Sequence, residues 1–235
     1  MTMTEQDPAL ALKRAAAEHA AAAVEDGMVL GLGTGSTAKL AVDALARRMR
    51  EEGIRITGIP TSEATAAQAN SLGIPLTDFA HHTEIDLTID GADAVQRGTL
   101  DLIKGLGGAL LREKIVAAAS KRMLVIVDES KLTEPFGGHT PVPVEVTRFG
   151  WQSTERRIAA LGAKPKLRRS GDGQPLVTDG GNFILDCDFG PIADAAGLAQ
   201  RIKSQVGVIE TGLFIGLATE VIIAAPGGVT TLKRG

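Results

Sequence analysis

Two hundred and thirty-five residues, 44% of them hydrophobic and 23% charged, describe a folded chain of one large domain or two small ones and exclude intrinsic disorder. Six Phe, one Trp and no Tyr stand against 28 Gly. That excludes functions built on aromatic platforms, such as stacking single-stranded nucleic acid or holding a polysaccharide along a Trp/Tyr strip, and favours sites lined by backbone. A net charge of −3 leaves no electrostatic footprint for DNA or RNA. The one basic cluster, 164–169, is interrupted by Pro165 and Leu167 and reads as a solvated strand. Cys187 has no partner for an intrachain disulfide, no Cys/His spacing resembles a zinc site, and His81-His82 reads as a solvated pair in a loop. No apolar run approaches a membrane span and the first residues are acidic and polar, so a reducing cytoplasm is expected, with neither membrane nor nucleic acid as partner.

In chain order, Asp7-Pro8 is a cap followed by a proline at the first helical position, which predicts a helix over 8–26 ended by Gly27. Residues 28–32 form a short apolar strand, 33–36 a tight glycine turn, and 37–50 a second amphipathic helix stopped near Gly53. The pattern recurs with a strand at 54–59, a helix at 62–71 and a short strand at 74–76. Strands at 85–89 and 99–103, a helix at 108–120 and a strongly apolar strand at 123–127 follow. This alternation predicts a parallel sheet covered on both faces, a Rossmann-like α/β domain. Pro135, Gly137, Gly138, Pro141 and Pro143 then punctuate a linker. Beyond it come a strand at 142–147, a helix at 151–161, a strand at 164–168, strand material at 176–177 and 182–186, a helix at 191–204 and a strand at 206–210. That order is the split βαβ of a ferredoxin-like α+β unit. Apolar strands at 212–217 and 220–225 return to the first domain. The expected division is 1–133 with 210–235 for the parallel-sheet domain and 134–209 for the inserted one.

Three segments carry candidate chemistry. Gly31-Leu-Gly-Thr-Gly-Ser-Thr-Ala38 joins a strand to a helix, where glycines admit a ligand to the backbone and the helix N-terminus favours an anion. It is not a Walker A loop. The next strand runs into Pro60-Thr61 with no acid to hold a ribose hydroxyl, so a small phosphate ester fits better than a dinucleotide. The plain alternative is a tight turn capped by Ser36. Asp90-Gly91-Ala92-Asp93 ends a strand, where two carboxylates can divide acid and base roles; taken alone it reads better as an Asx turn with solvated acids. Lys104-Gly-Leu-Gly-Gly-Ala-Leu-Leu-Arg-Glu113-Lys114 is a glycine turn entering a helix. Singly, Arg112, Glu113 and Lys114 read as a solvated helix face, and Lys13 and Lys131 as surface lysines. Together, a phosphate cradle, two acids, a lysine and a glutamate are what proton transfer on a phosphorylated carbonyl compound requires.

These motifs, with Thr-Ser-Glu-Ala-Thr at 61–65, Pro-Val-Glu-Val at 143–146, Asp-Gly-Gly-Asn at 179–182 and Gly-Leu-Phe at 212–214, resemble the ribose-5-phosphate isomerase A family over nearly the whole chain. The resemblance implies an aldose-ketose isomerase interconverting ribose 5-phosphate and ribulose 5-phosphate. It implies a phosphate held by Thr34, Gly35, Ser36 and Thr37 with Lys13 as an additional cation, and ring opening assisted by Asp90 or Asp93. Glu113 matches the general base, Lys104 the group stabilising the enediolate oxygen, and Lys131 a substrate-binding lysine. Gly91, Ala92, Gly105, Leu106 and Gly107 belong to loops expected along the phosphosugar. No metal or organic cofactor is implied, and a homodimer or tetramer is. The family's loop often reads Lys-Gly-Gly-Gly; Leu106 departs from it, and a leucine forced to positive φ there is strained. The rival readings are a CoA-transferase-like enzyme with glutamate as nucleophile and a non-catalytic sugar-phosphate sensor.

Overall fold

Asp7 has an extended backbone and accepts the Ala9 N–H on its side chain, and Pro8 needs no N–H partner, so α1 (Pro8–Ala21) starts where the sequence predicts. In this computed structural model, which describes residues 7–234, α1 stops short of the expected end at 26. Arg48 donates to the carbonyls of Ala21 and Val24, satisfying the helix end with a guanidinium that no local pattern announces.

The elements that follow are β1 (Val29–Leu32), α2 (Ser36–Glu52), β2 (Thr57–Pro60), α3 (Glu63–Ser71), β3 (Leu87–Gly91), β4 (Ala94–Gln96) and β5 (Leu102–Ile103). Then come α4 (Leu110–Ala118), β6 (Met123–Asp128), β7 (Leu132–Thr133), β8 (Val142–Val146), α5 (Trp151–Ala159), β9 (Lys164–Leu167) and β10 (Phe183–Asp188). The chain ends with α6 (Ala195–Lys203), β11 (Val208–Thr211), β12 (Leu213–Phe214), β13 (Glu220–Ala225) and β14 (Gly228–Lys233).

The chain divides into two compact units. The first holds the residues up to Gly91, Val116–Lys131 and those from Ala218 on. Its six-stranded sheet has the order β14-β13-β6-β3-β1-β2, parallel except for β14, which folds back antiparallel on β13. Ala16, Ala17 and Ala20 of α1 and Ala41, Val42 and Leu45 of α2 share one core with Leu30, Leu32, Leu87, Ile89, Leu124 and Ile126 of the strands. The alanines let the helix axes approach the sheet, and each buried leucine or isoleucine contributes about 1.5–3 kcal/mol. The polar run of β14 is a solvent-facing edge strand, and its lack of apolar alternation hid it from the sequence.

The second unit holds Ala92–Ile115 and Leu132–Leu217. Its antiparallel sheet has the order β11-β8-β10-β9 and carries α5 and α6, the ferredoxin-like order the sequence predicts. Val142, Val144, Ile158, Leu185, Leu198 and Ile202 fill its core. The unit also owns a second small sheet, β12-β5-β4-β7. The division therefore differs from the expected breaks at 133/134 and 209/210. Within 92–115 β4 pairs with β5; β5 pairs with β12 of 210–217, and β4 with β7, which follows Lys131. The expected strand 99–103 shortens to β5 because Leu100 turns at φ 58°, and the expected strand 212–217 shortens to β12.

Candidate active site

In the first unit, the ends of β1, β2, β3 and β6 all lie on the carboxyl edge of one parallel sheet, where such sheets bind ligands. The loop after β1 turns at Gly35, whose φ of 112° suits glycine alone. Gly35, not Ser36, is the N-cap of α2, and no side chain caps that helix. Its first N–H groups are therefore offered at an exposed loop, with Ser36 and Thr37 as the first two helical residues, which favours an anion over a self-satisfied turn. Lys13 of α1 donates to the Ser36 hydroxyl at 3.1 Å and so stands beside the loop. A groove of about 560 Å³ opens here, lined by Thr34, Gly35, Ser36, Lys39, Asp43 and Gln68 among others.

Asp90, the fourth residue of β3, is fully buried rather than solvated. Its Oδ1 accepts the N–H of Thr34 at 3.1 Å and of Gly91 at 2.7 Å. Gly33 makes this possible, since a Cβ there would stand 2.3 Å from the same oxygen. Lys131 ends a single helical turn after β6 and is half-buried.

In the second unit, Lys104 follows β5 and is 2% exposed, and Glu113 in α4 is 3% exposed. Lys104 Nζ stands 3.4 Å from Glu113 Oε1. The face of α4 read as solvated when taken singly is therefore largely buried at Glu113 and Lys114; Arg112 alone stays near water, 3.7 Å from Asp179. Lys114 donates to Glu210 at 3.0 Å and to the carbonyls of Thr211 and Leu213. Burial pushes its ammonium below the usual lysine range despite Glu210. Between Lys104 and α4, Gly105 and Gly108 take φ of 105° and 88°. Asp93 accepts the Leu106 N–H at 2.9 Å, so this carboxylate braces the glycine loop.

Residues 57–228 match the sequence profile of the family Ribose 5-phosphate isomerase A (phosphoriboisomerase A). A ribose-5-phosphate isomerase A from Synechococcus sp. is 56% identical over 95% of this chain and 97% of its own, and one from Gloeobacter violaceus is 58% identical over 94% and 95%. The chain belongs to the ribose-5-phosphate isomerase A family. Among solved structures, ribose 5-phosphate isomerase A from Methanocaldococcus jannaschii superposes with a TM-score of 0.92 at 40% identity, covering 95% of this chain and 99% of that one. A D-ribose-5-phosphate isomerase in complex with phospho-erythronic acid gives 0.94 at 36% identity, covering 97% and 100%.

Leu106, where the resemblance leads one to expect glycine, carries no backbone strain: Leu100 is the one non-glycine at positive φ among the described residues. Leu106 is 43% exposed, and its N–H and carbonyl hydrogen-bond to Asp93 and Arg168. Gly91 and Ala92 are half-buried on either side of the division between the units, and Gly107 lies within the glycine loop.

Two supports of the site escaped sequence reading. The Thr34 hydroxyl meets those of Thr61 at 2.6 Å, Ser62 at 2.9 Å and Thr65 at 3.2 Å, so the Thr-Ser-Glu-Ala-Thr motif holds the glycine loop after β1 from behind. Thr65 also donates to the Gly33 carbonyl at 3.0 Å. Arg168, expected on a solvated strand, donates to the carbonyls of Gly105 and Leu106 at 2.9 Å each and is gripped by both oxygens of Asp186. A bidentate guanidinium is specific in geometry, but the Lys164–Arg169 cluster looks like surface charge until the partner strand is in place. His81 and His82 hydrogen-bond to Asp78 and Thr77 in an exposed loop, and burial pushes the Cys187 thiol far up, leaving it inert.

Proposed function

We propose that this chain interconverts D-ribose 5-phosphate and D-ribulose 5-phosphate through ring opening and an enediolate, with Glu113 as the base. The observation that carries this reading is the buried Lys104–Glu113 pair, a carboxylate and an ammonium 3.4 Å apart and shielded from water. A carboxylate so placed can remove the C2 proton and return it to C1, the ammonium can stabilise the oxygen that becomes negative in between, and both effects strengthen where water is excluded. The phosphate is assigned to the open start of α2 at Gly35, Ser36 and Thr37, with Thr34 fixed behind it and Lys13 at its side. Held there, it orients the sugar, so that binding energy from a non-reacting group supports the proton transfer. Asp90 or Asp93 is assigned the proton shuttle for ring opening, Lys131 a substrate contact, and the main chain at Gly91, Ala92 and 105–107 further substrate contacts.

Every step of the scheme is assigned to groups of the chain itself, so activity is expected to survive EDTA. Ribose 5-phosphate incubated with the EDTA-treated protein in D2O and followed by NMR is expected to yield ribulose 5-phosphate carrying solvent deuterium. Binding without turnover sinks the reading in favour of a sugar-phosphate sensor, and activity that vanishes with EDTA and returns with zinc sinks the metal-free scheme. A homodimer or tetramer and a cytoplasmic location complete the proposal. Light scattering tests the first. Among the described residues no helix is long and apolar enough to cross a membrane.

A further inference from the structure

The Gly212-Leu213-Phe214 motif enters no step of the scheme above, yet its main chain and its ring converge on Lys104. The Lys104 N–H donates to the Gly212 carbonyl at 2.9 Å. β12 pairs Leu213 with Ile103 and Phe214 with Leu102. A Cβ at Gly212 would stand 2.3 Å from the Lys104 carbonyl oxygen, so only glycine lets the two backbones approach. The Phe214 ring is fully buried, with the Lys104 ammonium 5.5 Å from its centroid. The Lys114 ammonium lies 4.8 Å from the same centroid, where Glu210 and two carbonyls compensate its charge.

We propose that Phe214 is a positioning residue for the isomerisation: its ring face holds the Lys104 ammonium in place while leaving the N–H donors able to turn to the enediolate oxygen. This rests on the reading of Lys104 as the group that stabilises that oxygen. A ring attracts a cation through its quadrupole, most strongly where water is excluded, yet is a weak hydrogen-bond acceptor. A second carboxylate in its place would bind those donors before the reaction, and the charge formed in the transition state would have to displace it. Only interactions that strengthen in the transition state raise kcat. The timing also favours a ring. When Glu113 takes the C2 proton its carboxylate becomes neutral and stops compensating Lys104, whereas the attraction of the ring does not depend on protonation.

Site-specific replacement of Phe214 by mono-, di- and trifluorinated phenylalanine weakens the negative ring face stepwise with little change in shape. The expected result is a progressive fall in kcat, reaching about tenfold with the trifluorinated ring, while KM and the urea midpoint hold. A flat series, or one that falls only in step with stability, overturns the proposal. Lys104→Met separates the two levels. Full activity in that variant removes the role of Lys104 and the proposal with it; an inactive variant beside a flat fluorinated series removes the role of Phe214 alone.

Discussion

Around Gly35 the polar groups come from the main chain and stand near water, whereas around Lys104 they come from two side chains sealed away from it. The first arrangement tolerates many side chains but few backbones: the turn needs φ 112° at Gly35, and Asp90 leaves no room for a Cβ at Gly33. The second tolerates many backbones but few side chains, because removing one member of a buried pair takes from the other the charge that compensates it. An anion that arrives with its own charge needs only aligned N–H groups. A proton in transit needs a group that changes charge, and only a side chain does that.

The largest test of this contrast is Glu113→Gln, which keeps the shape and removes the base. We expect kcat to fall by at least about 10²-fold in steady-state assays with ribose 5-phosphate, with KM little changed. An unaltered kcat moves the base to Asp90 or Asp93. Gly33→Ala attacks the other region through its backbone. The new Cβ forces Asp90 aside, and we expect a loss of about 1–3 kcal/mol in urea unfolding together with a raised KM, as for an overpacked core. Equal stability in that variant means the loop has slack that the 2.3 Å approach denies.

Glu210→Gln probes the shell of the buried region by pH. Burial works to raise the Glu210 carboxyl, but the Lys114 charge, the Thr211 N–H and Lys203 outweigh it and hold the carboxyl below the usual range. Its stabilisation is therefore fully present above the unfolded value of about 4.3 and is lost as pH falls through the lower folded value. We expect the variant to be weaker by about 1–2 kcal/mol at pH 7, converging with the parent in acid; a gap that persists at the lowest pH assigns the loss to packing. Smallest is Lys13→Ala. A half-buried ammonium still in reach of water gives a phosphate about 0.2–1 kcal/mol, so KM rises at most a few-fold, kcat stays, and the salt dependence of KM flattens. A large fall in kcat there breaks the separation between the two regions.

Much of this was legible before any coordinates. Asp7-Pro8 marks a helix start by local chemistry, glycine between an apolar strand and an amphipathic helix marks a βα turn, and the strand-helix order after Pro143 announces the ferredoxin-like sheet. The residue types of the proposed site stand out for the same reason, since Gly35, Asp90, Lys104 and Glu113 sit in or near turns whose shape their neighbours dictate. β4 and β14 were not, because a three-residue strand and a polar edge strand carry no period to read.

By itself, then, the sequence determined a glycine-rich, ring-poor chain with a glycine turn between strand and helix and a set of acids and lysines, because backbone freedom and residue chemistry are local properties. Tertiary structure decided which of those charges lose their water. Glu113 and Lys114 share a helix face pattern that fits a solvated surface equally well, and only pairing with Lys104, Glu210 and the Gly212–Phe214 segment turns that face inward. Arg168 and the Thr61–Thr65 hydroxyls become supports of the site only when strands distant in sequence bring them to it. Burial depends on every neighbour at once, and no window of sequence contains them all.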